Sequence, residues 1–598
     1  MKNVVITGEG IVSAIGLDKQ SVLCSLKEKR TGVGAMHYLR SEHKELPVGE
    51  VKLSNEEIKA VLGIESSKVL HRTSLLGMLA VKQALADGCV IKKRNRKIFL
   101  ISGTTVGGMD ITESNFLDFQ KYNKNLPLIL QHDCGSSTKQ IADYFKIFDD
   151  YTTPSTACSS ATNAIILGAN LIKAGEADIV IAGGSEALTK FHLNGFNSLM
   201  ILDKEQCRPF DAKRNGLNLG EGAAYVVLES EDSARERGVP VHAYLTGYAN
   251  ACDAFHQTAT SPEGQGAFLA MSQALEMANL QPRDIQYINA HGTGTQNNDA
   301  SEGVAIRRLF GDKMPLVSST KSFTGHTTSA SGSIEAVICI LAMQNEFVPA
   351  NLGFVSPSED GIVPTSGEDQ VELCHVMSNA FGFGGNDSSI VLSLRPAVSD
   401  EREFGGQPVY VHAKVEINKE DDLQEIRNYV KPLEVRRMGK IMKSSLLSSF
   451  KSLEQAGITT PDAIIIGTAL GCLENSEIFL QEMCTEGESL LKPTLFMQST
   501  HNTVASNIAI KTKCHGYNAT YVQGVDSLKW AVRDAKLLLR QGKVKNVLVG
   551  CHDESAPWYQ NFMQRLGMPL RPDVQSVSMI LTTESEGAVC NVDALWEN

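Results

Sequence analysis

The segment STACSSATNAI, residues 155–165, places Cys158 among small residues immediately before an apolar helical pattern. A thiol at a helix N-terminus faces the positive end of the helix dipole and unpaired N–H groups, which lower its pKa and stabilise the thiolate. Small neighbours leave room for a bound chain. A lone cysteine in such a segment is more often a core thiol, so a catalytic interpretation requires partners.

Two downstream segments supply histidines. NAHGTGTQNND at 289–299 places His291 at a strand end, before glycines and threonines that permit close backbone approach. STKSFTGHTTSASGS at 319–333 contains Lys321 and His326 in a Gly/Ser/Thr-rich loop before an apolar helix. Singly, each histidine fits a core or loop residue as well as a catalyst, and a lone lysine is usually solvated.

Further segments in the same order complete a pattern: VVITGEGIVSAIG at 4–16, RPFDAKRNGLNLGEGAA at 208–224 and NAFGFGGND at 379–387. Alone, the last predicts a tight turn before a strand. Together, these segments resemble the elongating β-ketoacyl-acyl-carrier-protein synthases of the thiolase-like superfamily, across residues 1 to about 395. The alternation of short β-branched runs with helical patterns predicts a layered α/β protein. The resemblance implies a five-layered αβαβα synthase domain.

The resemblance also implies roles for particular residues. Cys158 is expected to attack an acyl thioester and hold the chain, and the N–H groups of Cys158 and Phe383 to form an oxyanion hole. His291 and His326 are expected to bind the malonyl thioester carbonyl and stabilise the enolate formed as carbon dioxide leaves. The acyl donor and the malonyl unit would be carried on the phosphopantetheine of an acyl carrier protein, and no metal or bound organic cofactor is expected.

Supporting residues follow from the same resemblance. Lys321 is expected to pair with Glu335, because a buried charge needs a partner. Phe383 resembles a gating aromatic. Thr293 and Thr295 are expected to support the malonyl side of the site. The depth of the acyl pocket is expected to depend on Phe196, Leu199, Met200 and Ile201.

Residue types separate related mechanisms. Thiolases use a second catalytic cysteine, and initiating synthases use Cys, His and Asn, whereas both downstream positions here are histidines. The pattern therefore favours decarboxylative Claisen elongation giving a 3-oxoacyl-acyl carrier protein. Non-catalytic synthase homologues also exist, and the intact Cys158 argues against that alternative.

The region after a charged, Gly- and Pro-containing linker at 396–407 repeats the front of the chain. AIIIGTALGCLEN at 463–475 matches IFLISGTTVGGMD at 98–110, and one further match upstream and one downstream keep the same order. We therefore divide the chain into a synthase domain, 1–395, and a truncated α/β half-copy, 408–598. The half-copy ends before any counterpart of the His291 and Lys321 segments.

Alignment of the repeats sets Val525 opposite Cys158, so the half-copy should not form an acyl-enzyme. It resembles the chain-length-factor-like partners of ketosynthases in aryl-polyene and related pathways. The alternative is a duplicate that only completes a core or supports an oligomer built on synthase-type dimer contacts, possibly within one chain. His501 and Gln523 are interpreted as structural.

Composition limits the remaining classes. The formal charge of −12, without a dense basic run, argues against nucleic-acid and anionic-membrane surfaces. The 13 cysteines show no CxxC pairs, which predicts reduced thiols in a cytoplasm. No apolar run reaches the roughly 18 residues of a membrane span. Two alternative functions remain: fatty-acid elongation with a purely structural C-terminal domain, and a non-catalytic partner subunit.

Overall fold

The computed structural model describes residues 3–358, 361–396 and 405–596, so that 397–404 of the predicted linker lie outside the described residues. The strands are β1 (Val4–Ser13), β2 (Val33–Gly34), β3 (Val48–Gly49), β4 (Ile98–Gly103), β5 (Asp150–Thr152), β6 (Ile179–Glu186), β7 (Gly222–Ser230), β8 (Ala243–Cys252), β9 (Tyr287–Asn289), β10 (Leu316–Ser318), β11 (Phe347–Val348), β12 (Glu368–Asp369), β13 (His375–Gly382), β14 (Asn386–Ser393), β15 (Tyr410–Ile417), β16 (Ala463–Gly467), β17 (Tyr517–Tyr521), β18 (Asn546–Glu554), β19 (Val574–Thr582) and β20 (Cys590–Asn591).

The α-helices are α1 (Lys19–Lys27), α2 (Asn55–Leu62), α3 (Arg72–Asp87), α4 (Met109–Lys121), α5 (Cys134–Phe145), α6 (Ser160–Lys173), α7 (Lys190–Ser198), α8 (Glu231–Arg237), α9 (Gln265–Ala278), α10 (Gln296–Phe310), α11 (Lys321–Thr324), α12 (Ser331–Gln344), α13 (Pro432–Val435), α14 (Lys440–Gln455), α15 (Leu473–Glu486), α16 (Pro493–Met497), α17 (Thr503–Thr512), α18 (Ser527–Arg540) and α19 (Pro557–Arg565). Among these described helices, none combines the length and apolar composition needed to cross a membrane.

Ten strands of the front region form one sheet in the order β10-β9-β13-β14-β8-β1-β7-β6-β4-β5. Its two five-stranded halves meet where β1 pairs with β8 over only Val5 and Ile6. Helices α6 and α12 lie between the halves, α3 covers one outer face, and α9 covers the other. The predicted five-layered αβαβα arrangement is therefore present.

The middle layer explains the apolar helix that follows Cys158. Every residue of α6 from Ser160 to Ile172 is buried, because sheets cover the helix on opposite sides. A helix that is apolar on all sides is typical of such a position. The segment that carries Cys158 thus enters the centre of the molecule, with Cys158 at the N-terminal end of the buried helix.

The C-terminal region forms a six-stranded sheet in the order β17-β16-β18-β19-β15-β20. Its first five strands repeat the order β5-β4-β6-β7-β1, with α14 in the place of α3 and α18 in the place of α6. The predicted repeat is therefore confirmed as a repeat of structure. One difference concerns β15 and its counterpart β1. In β15, buried Ala413 and Val415 alternate with exposed Lys414 and Glu416. In contrast, β1 is buried throughout, because α12 packs on it in addition to α3.

The two copies pack against each other through matching strands. The Ser155 N–H donates to the Thr520 carbonyl at 2.8 Å, and the Val522 N–H donates to the Thr153 carbonyl at 2.9 Å. Under the alignment of Cys158 with Val525, Thr153 corresponds to Thr520, and Ser155 to Val522. Each bond is thus the counterpart of the other, as in the self-complementary interface of a twofold dimer. One chain contains this interface internally.

Candidate active site

A short 3-10 turn, Ala157–Ser159, holds Cys158 at the start of α6. Ala157 adopts a left-handed backbone with φ of 52°, and the Ser160 hydroxyl accepts from the Thr156 N–H at 2.8 Å and donates to the Ala157 carbonyl at 2.6 Å. A left-handed non-glycine residue costs free energy and is held by its surroundings. These bonds fix the backbone on either side of Cys158, which is only 5% exposed.

Both predicted histidines lie beside this thiol. His326 Nε2 is 3.0 Å from Cys158 Sγ, and its Nδ1 is 3.0 Å from the Ser331 hydroxyl, which can donate or accept. The ring of His291 lies edge-to-face with the ring of His326, with centroids 5.3 Å apart. The strand-end backbone at His291 is held by Glu302, which accepts its N–H at 2.9 Å.

Burial dominates the electrostatics of the site. It raises the pKa of the Cys158 thiol to about 12, although the Lys321 charge and a hydrogen bond from the Phe383 N–H both act to lower it. The expected low thiol pKa is therefore wrong, because desolvation outweighs the Lys321 charge and the Phe383 hydrogen bond. Burial and the Lys321 charge hold the pKa values of His291 and His326 well below the ordinary value. The free site contains a thiol and two neutral imidazoles.

Lys321 is buried and donates to Glu335 Oε1 at 2.5 Å. Burial raises the pKa of Glu335 to about 7, while the Lys321 charge and hydrogen bond oppose the rise. Removing either partner would leave a polar group without its counterpart in the core. Within this pair, the Lys321 charge acts on both the Cys158 and His326 side chains, and Glu335 acts on Cys158 in the opposite direction.

A cavity of about 440 Å³ connects the site with the surface. Every residue predicted for substrate contact lines it: Phe196, Leu199, Met200, Ile201, Thr293, Thr295 and Phe383 together with Cys158, His291 and His326. Met200 is 88% exposed, so it borders the mouth and does not set the depth of an acyl pocket, contrary to its predicted place. Phe196 is buried and stacks on Phe383 with ring centroids 5.6 Å apart.

On the side of Phe196 away from Phe383, the packing partner comes from the C-terminal copy. Phe496 of α16 is 2% exposed, and its ring centroid lies 5.4 Å from that of Phe196. A side chain at Gly195 would overlap the Phe496 ring. Phe191 and Phe479 extend the same aromatic cluster towards α15. Sequence reasoning missed Phe496, because no local pattern reveals which aromatic residue crosses between two copies.

Polar contacts also cross between the copies close to the nucleophile. The amide oxygen of Asn386 accepts from the Ser159 hydroxyl at 2.8 Å and from Asn163 Nδ2 at 2.9 Å, while its Nδ2 donates to the Asn518 carbonyl at 2.6 Å. This network joins the residue after Cys158 to β17 of the C-terminal copy. The repeats are therefore connected at the turn that carries Cys158.

The two C-terminal polar residues interpreted as structural lie at this interface. His501 Nδ1 is 3.1 Å from the Ser155 hydroxyl, and the Gln523 amide oxygen accepts from the Thr153 hydroxyl at 3.0 Å. Both contacts fall within five residues of Cys158 in the front copy. Neither side chain lines the cavity around the thiol.

Among the described residues, two clusters have the spacing of metal ligands. One consists of the thiol and imidazole atoms of Cys158, His291 and His326, within 4.8 Å of one another. Zinc accepts this ligand set, but the nearby Lys321 charge opposes a second cation. The other comprises Glu9, Asp87 and His242, and Lys19 Nζ already lies 2.9 Å from Glu9 and 2.5 Å from Asp87. The negative charge of this second cluster is therefore balanced by Lys19.

Comparison with known proteins agrees with this geometry. The Beta-ketoacyl synthase N-terminal and C-terminal domain families match residues 1–234 and 242–355, and a second N-terminal domain family matches residues 412–595. The 3-oxoacyl-[acyl-carrier-protein] synthase 2 of Staphylococcus aureus is 32% identical over 410 residues, covering 65% of this chain and 98% of the relative. The chain belongs to the beta-ketoacyl synthase family. Both of its copies carry that family's N-terminal domain.

Two solved synthase structures resemble different extents of the chain. A ketosynthase, ApeO, in complex with its chain length factor, ApeC, from Xenorhabdus doucetiae has a TM-score of 0.56 and 29% identity, covering 66% of this chain and 98% of that one. The PfaC keto synthase-chain length factor has a TM-score of 0.78 and 16% identity, covering 98% of this chain and 79% of that one. At 16% identity, the likeness to PfaC shows the fold alone, and that shared fold extends across both copies of this chain.

Proposed function

We propose that this ketosynthase condenses a Cys158-bound acyl chain with malonyl-acyl carrier protein and releases a 3-oxoacyl-acyl carrier protein. The observation that carries the proposal is the 3.0 Å separation of His326 Nε2 and Cys158 Sγ at the end of an open cavity that also exposes His291. A nucleophile within hydrogen-bond distance of a base is the requirement for covalent catalysis. The reaction then proceeds through two half-reactions.

In the first half-reaction, Cys158 Sγ attacks the acyl thioester of the carrier. Since the thiol pKa is about 12, the proton leaves during attack, and the neutral His326 Nε2 is placed to accept it. The Cys158 and Phe383 N–H groups stabilise the oxyanion. His326 returns the proton to the departing carrier thiolate, which leaves a free carrier thiol and an acyl-enzyme.

In the second half-reaction, the malonyl unit enters the same cavity. His291 and His326 donate hydrogen bonds to its thioester carbonyl and stabilise the enolate as the carbon–carbon bond to carbon dioxide breaks. Ser331 can donate to or accept from His326 Nδ1, so His326 can present a proton from Nε2 in this step. The enolate carbon attacks the Cys158 thioester and the sulfur leaves as a thiolate, which takes a proton from water through His326 Nε2 to restore the thiol. Thr293 and Thr295 line the malonyl side.

The mouth of the cavity suits a carrier protein. A cavity of about 440 Å³ falls within the range of small-molecule sites and can accept a phosphopantetheine arm. Lys204 and Lys213 are exposed and lie in the sequence between Ile201 and Asn215, two residues that line the cavity. These positive charges favour an acidic acyl carrier protein, because complementary charge speeds association.

The division into a catalytic domain, 1–395, and a non-catalytic domain, 408–598, is part of the proposal. The second domain carries Val525 in place of a nucleophile and supplies Phe496 behind Phe196. We assign it the role of a chain-length partner that closes the acyl channel, with products of polyene or polyketide type. The alternative is fatty-acid elongation in which this domain only supports assembly.

The test follows carrier-bound products by mass, from an acyl-carrier primer and malonyl-carrier. The unaltered protein should form an acyl-enzyme and a 3-oxoacyl carrier, C158A neither, and H291A an acyl-enzyme with little condensation. Condensation by C158A would contradict the assigned nucleophile. Failure of the unaltered protein with all primers of a graded series would favour the partner-subunit alternative.

A further inference from the structure

The C-terminal domain reaches the loop that carries Phe383. Asn502, just before α17, donates from Nδ2 to the Phe383 carbonyl at 2.8 Å, and the Ser506 hydroxyl donates to the Gly384 carbonyl at 2.9 Å. On the other side of this loop, the Gly384 N–H donates to the Gln257 carbonyl, and Gln257 Nε2 donates to Asn507 Oδ1 at 2.9 Å. The loop after β13 is therefore tied to α17 on both sides.

Asn502 stands where a helix usually begins with a capping side chain. Asparagine at that position normally accepts a hydrogen bond from the first turn of its own helix. Here the N-cap residue makes no side-chain cap, and its amide nitrogen donates to Phe383. The side chain serves the neighbouring domain and leaves its own helix uncapped.

The repeat supplies an internal comparison. The left-handed residues Lys146 and Lys513 end α5 and α17 at equivalent positions. Under that alignment, Gly135 and Lys139 of the front copy correspond to Asn502 and Ser506. Neither counterpart has an equivalent loop to hold, because the described part of the C-terminal copy contains no counterpart of β13 and β14.

The contact is tight. Gly384 has a φ of 86°, and a Cβ there would lie 2.9 Å from Asn502 Nδ2 and 3.0 Å from Ser506 Cβ. A side chain at Gly384 would displace the loop or α17. Close backbone approach of this kind is a common use of glycine. The position of the loop therefore depends on the position of α17.

The preceding residue, Phe383, connects the position of this loop with the Cys158 thiol. Its N–H bonds Cys158, and Gly382 before it packs so closely that a Cβ would lie 3.2 Å from the Cys158 nitrogen. We propose that Asn502 and Ser506 are positioning residues that hold the Phe383 N–H in the oxyanion hole. The C-terminal domain thus contributes to catalysis as well as to chain length. This inference rests on the proposed condensation, in which Phe383 is an oxyanion donor.

Steady-state condensation by N502D, S506A and their double variant tests the role. The N502D change keeps the side-chain volume but removes the donor, and S506A removes the hydroxyl that bonds the Gly384 carbonyl. Misplacing an oxyanion donor should lower kcat by about 10-fold to 100-fold with little change in KM. R565A is the matched control, since Arg565 of α19 bonds the Phe119 carbonyl across the same interface. It should leave kcat within about twofold.

A second readout needs no carrier substrate. The Phe383 N–H acts to lower the pKa of the Cys158 thiol, so its displacement should raise that pKa further and slow alkylation by iodoacetamide. We expect the double variant to be alkylated at Cys158 about tenfold more slowly than R565A at every pH between about 7 and 9. A simple loosening of the interface would instead expose the thiol and speed alkylation.

The outcomes separate the two proposals. If the unaltered protein condenses and the double variant matches R565A in both kcat and alkylation, the positioning role is wrong. If the unaltered protein does not condense at all, the proposed function fails, while alkylation still decides whether Asn502 and Ser506 act on Cys158. A fall in kcat without slower alkylation would also overturn the inference, because the effect would then not pass through the Phe383 N–H.

Discussion

Val525 occupies in the second copy the position that Cys158 occupies in the first. Each is the middle residue of a 3-10 turn, and each follows a residue with a left-handed backbone, Ala157 with φ of 52° and Gly524 with φ of 56°. The alignment made from sequence is therefore confirmed. The surroundings differ, since Cys158 is 5% exposed and Val525 is 93% exposed.

This difference predicts that a thiol at position 525 will be accessible but inactive. In the C158A/V525C variant, the new cysteine should react rapidly with iodoacetamide because it is exposed. It should form no acyl-enzyme and no 3-oxoacyl product, because the described part of the second copy contains no counterpart of the His291 and His326 segments. Peptide mass mapping measures alkylation of the new cysteine after treatment with iodoacetamide and its acylation after incubation with acyl-carrier. Acylation of the new thiol would mean that the second copy retains a functional site, with C158A alone as the background.

The buried thiol predicts a steep pH dependence. Because the Cys158 pKa is about 12, the thiolate fraction should rise with pH throughout the neutral range, and alkylation of Cys158 should accelerate about tenfold per pH unit from pH 7 to 9. Both histidines have pKa values well below 6.5 and should add no inflection there. A plateau of the rate below pH 8, followed on the Cys158 peptide, would show a low-pKa thiolate.

Local motifs were sufficient to predict that Cys158, His291 and His326 share one site. The segments around Cys158, His291 and His326 each carry their glycines and hydroxyl residues in sequence, so the turn and the strand ends could be predicted from the chain itself. The repeat was also visible, because equivalent strands and turns keep equivalent glycines. Gly103 and Gly467, for example, end the matching strands β4 and β16.

Tertiary relations were not accessible in the same way. Asn502 and Ser506 look like ordinary residues of a helix start, and only the packing of α17 on the Phe383 loop reveals their contacts. The error over the Cys158 pKa has a similar origin, since a helix N-terminus is visible in sequence but the extent of burial is not. Met200 was misplaced because sequence proximity to Phe196 does not give depth.

The Lys321–Glu335 pair should couple strongly in stability. K321M leaves Glu335 buried without its partner and should lower the free energy of unfolding by about 3–5 kcal/mol. The double variant K321M/E335M replaces both groups with apolar side chains and should recover much of that loss. Urea unfolding followed by circular dichroism gives the unfolding midpoints of the unaltered protein, K321M and K321M/E335M, and we expect K321M to have the lowest.

The informative comparison is between the two variants. If K321M/E335M is less stable than K321M, the pair does not compensate a buried charge, and its role lies elsewhere in the loop between β10 and α12. Activity should fall in both variants, because both remove the positive charge near Cys158 and His326.

Phe496 predicts control of product length by the second domain. F496A removes the ring that closes the space behind Phe196, so the growing chain should extend further and products should lengthen by one or more malonyl-derived units. F562A is the matched control, because Phe562 packs on Phe116 and Phe119 at the same interface but away from the Phe196–Phe383 stack. Each change should cost about 3–5 kcal/mol of stability. Product masses separate two outcomes. Longer products from F496A and unchanged products from F562A would assign control of chain length to Phe496. The same products from F496A, F562A and the unaltered protein would make the C-terminal domain an assembly element whose aromatic residues only pack.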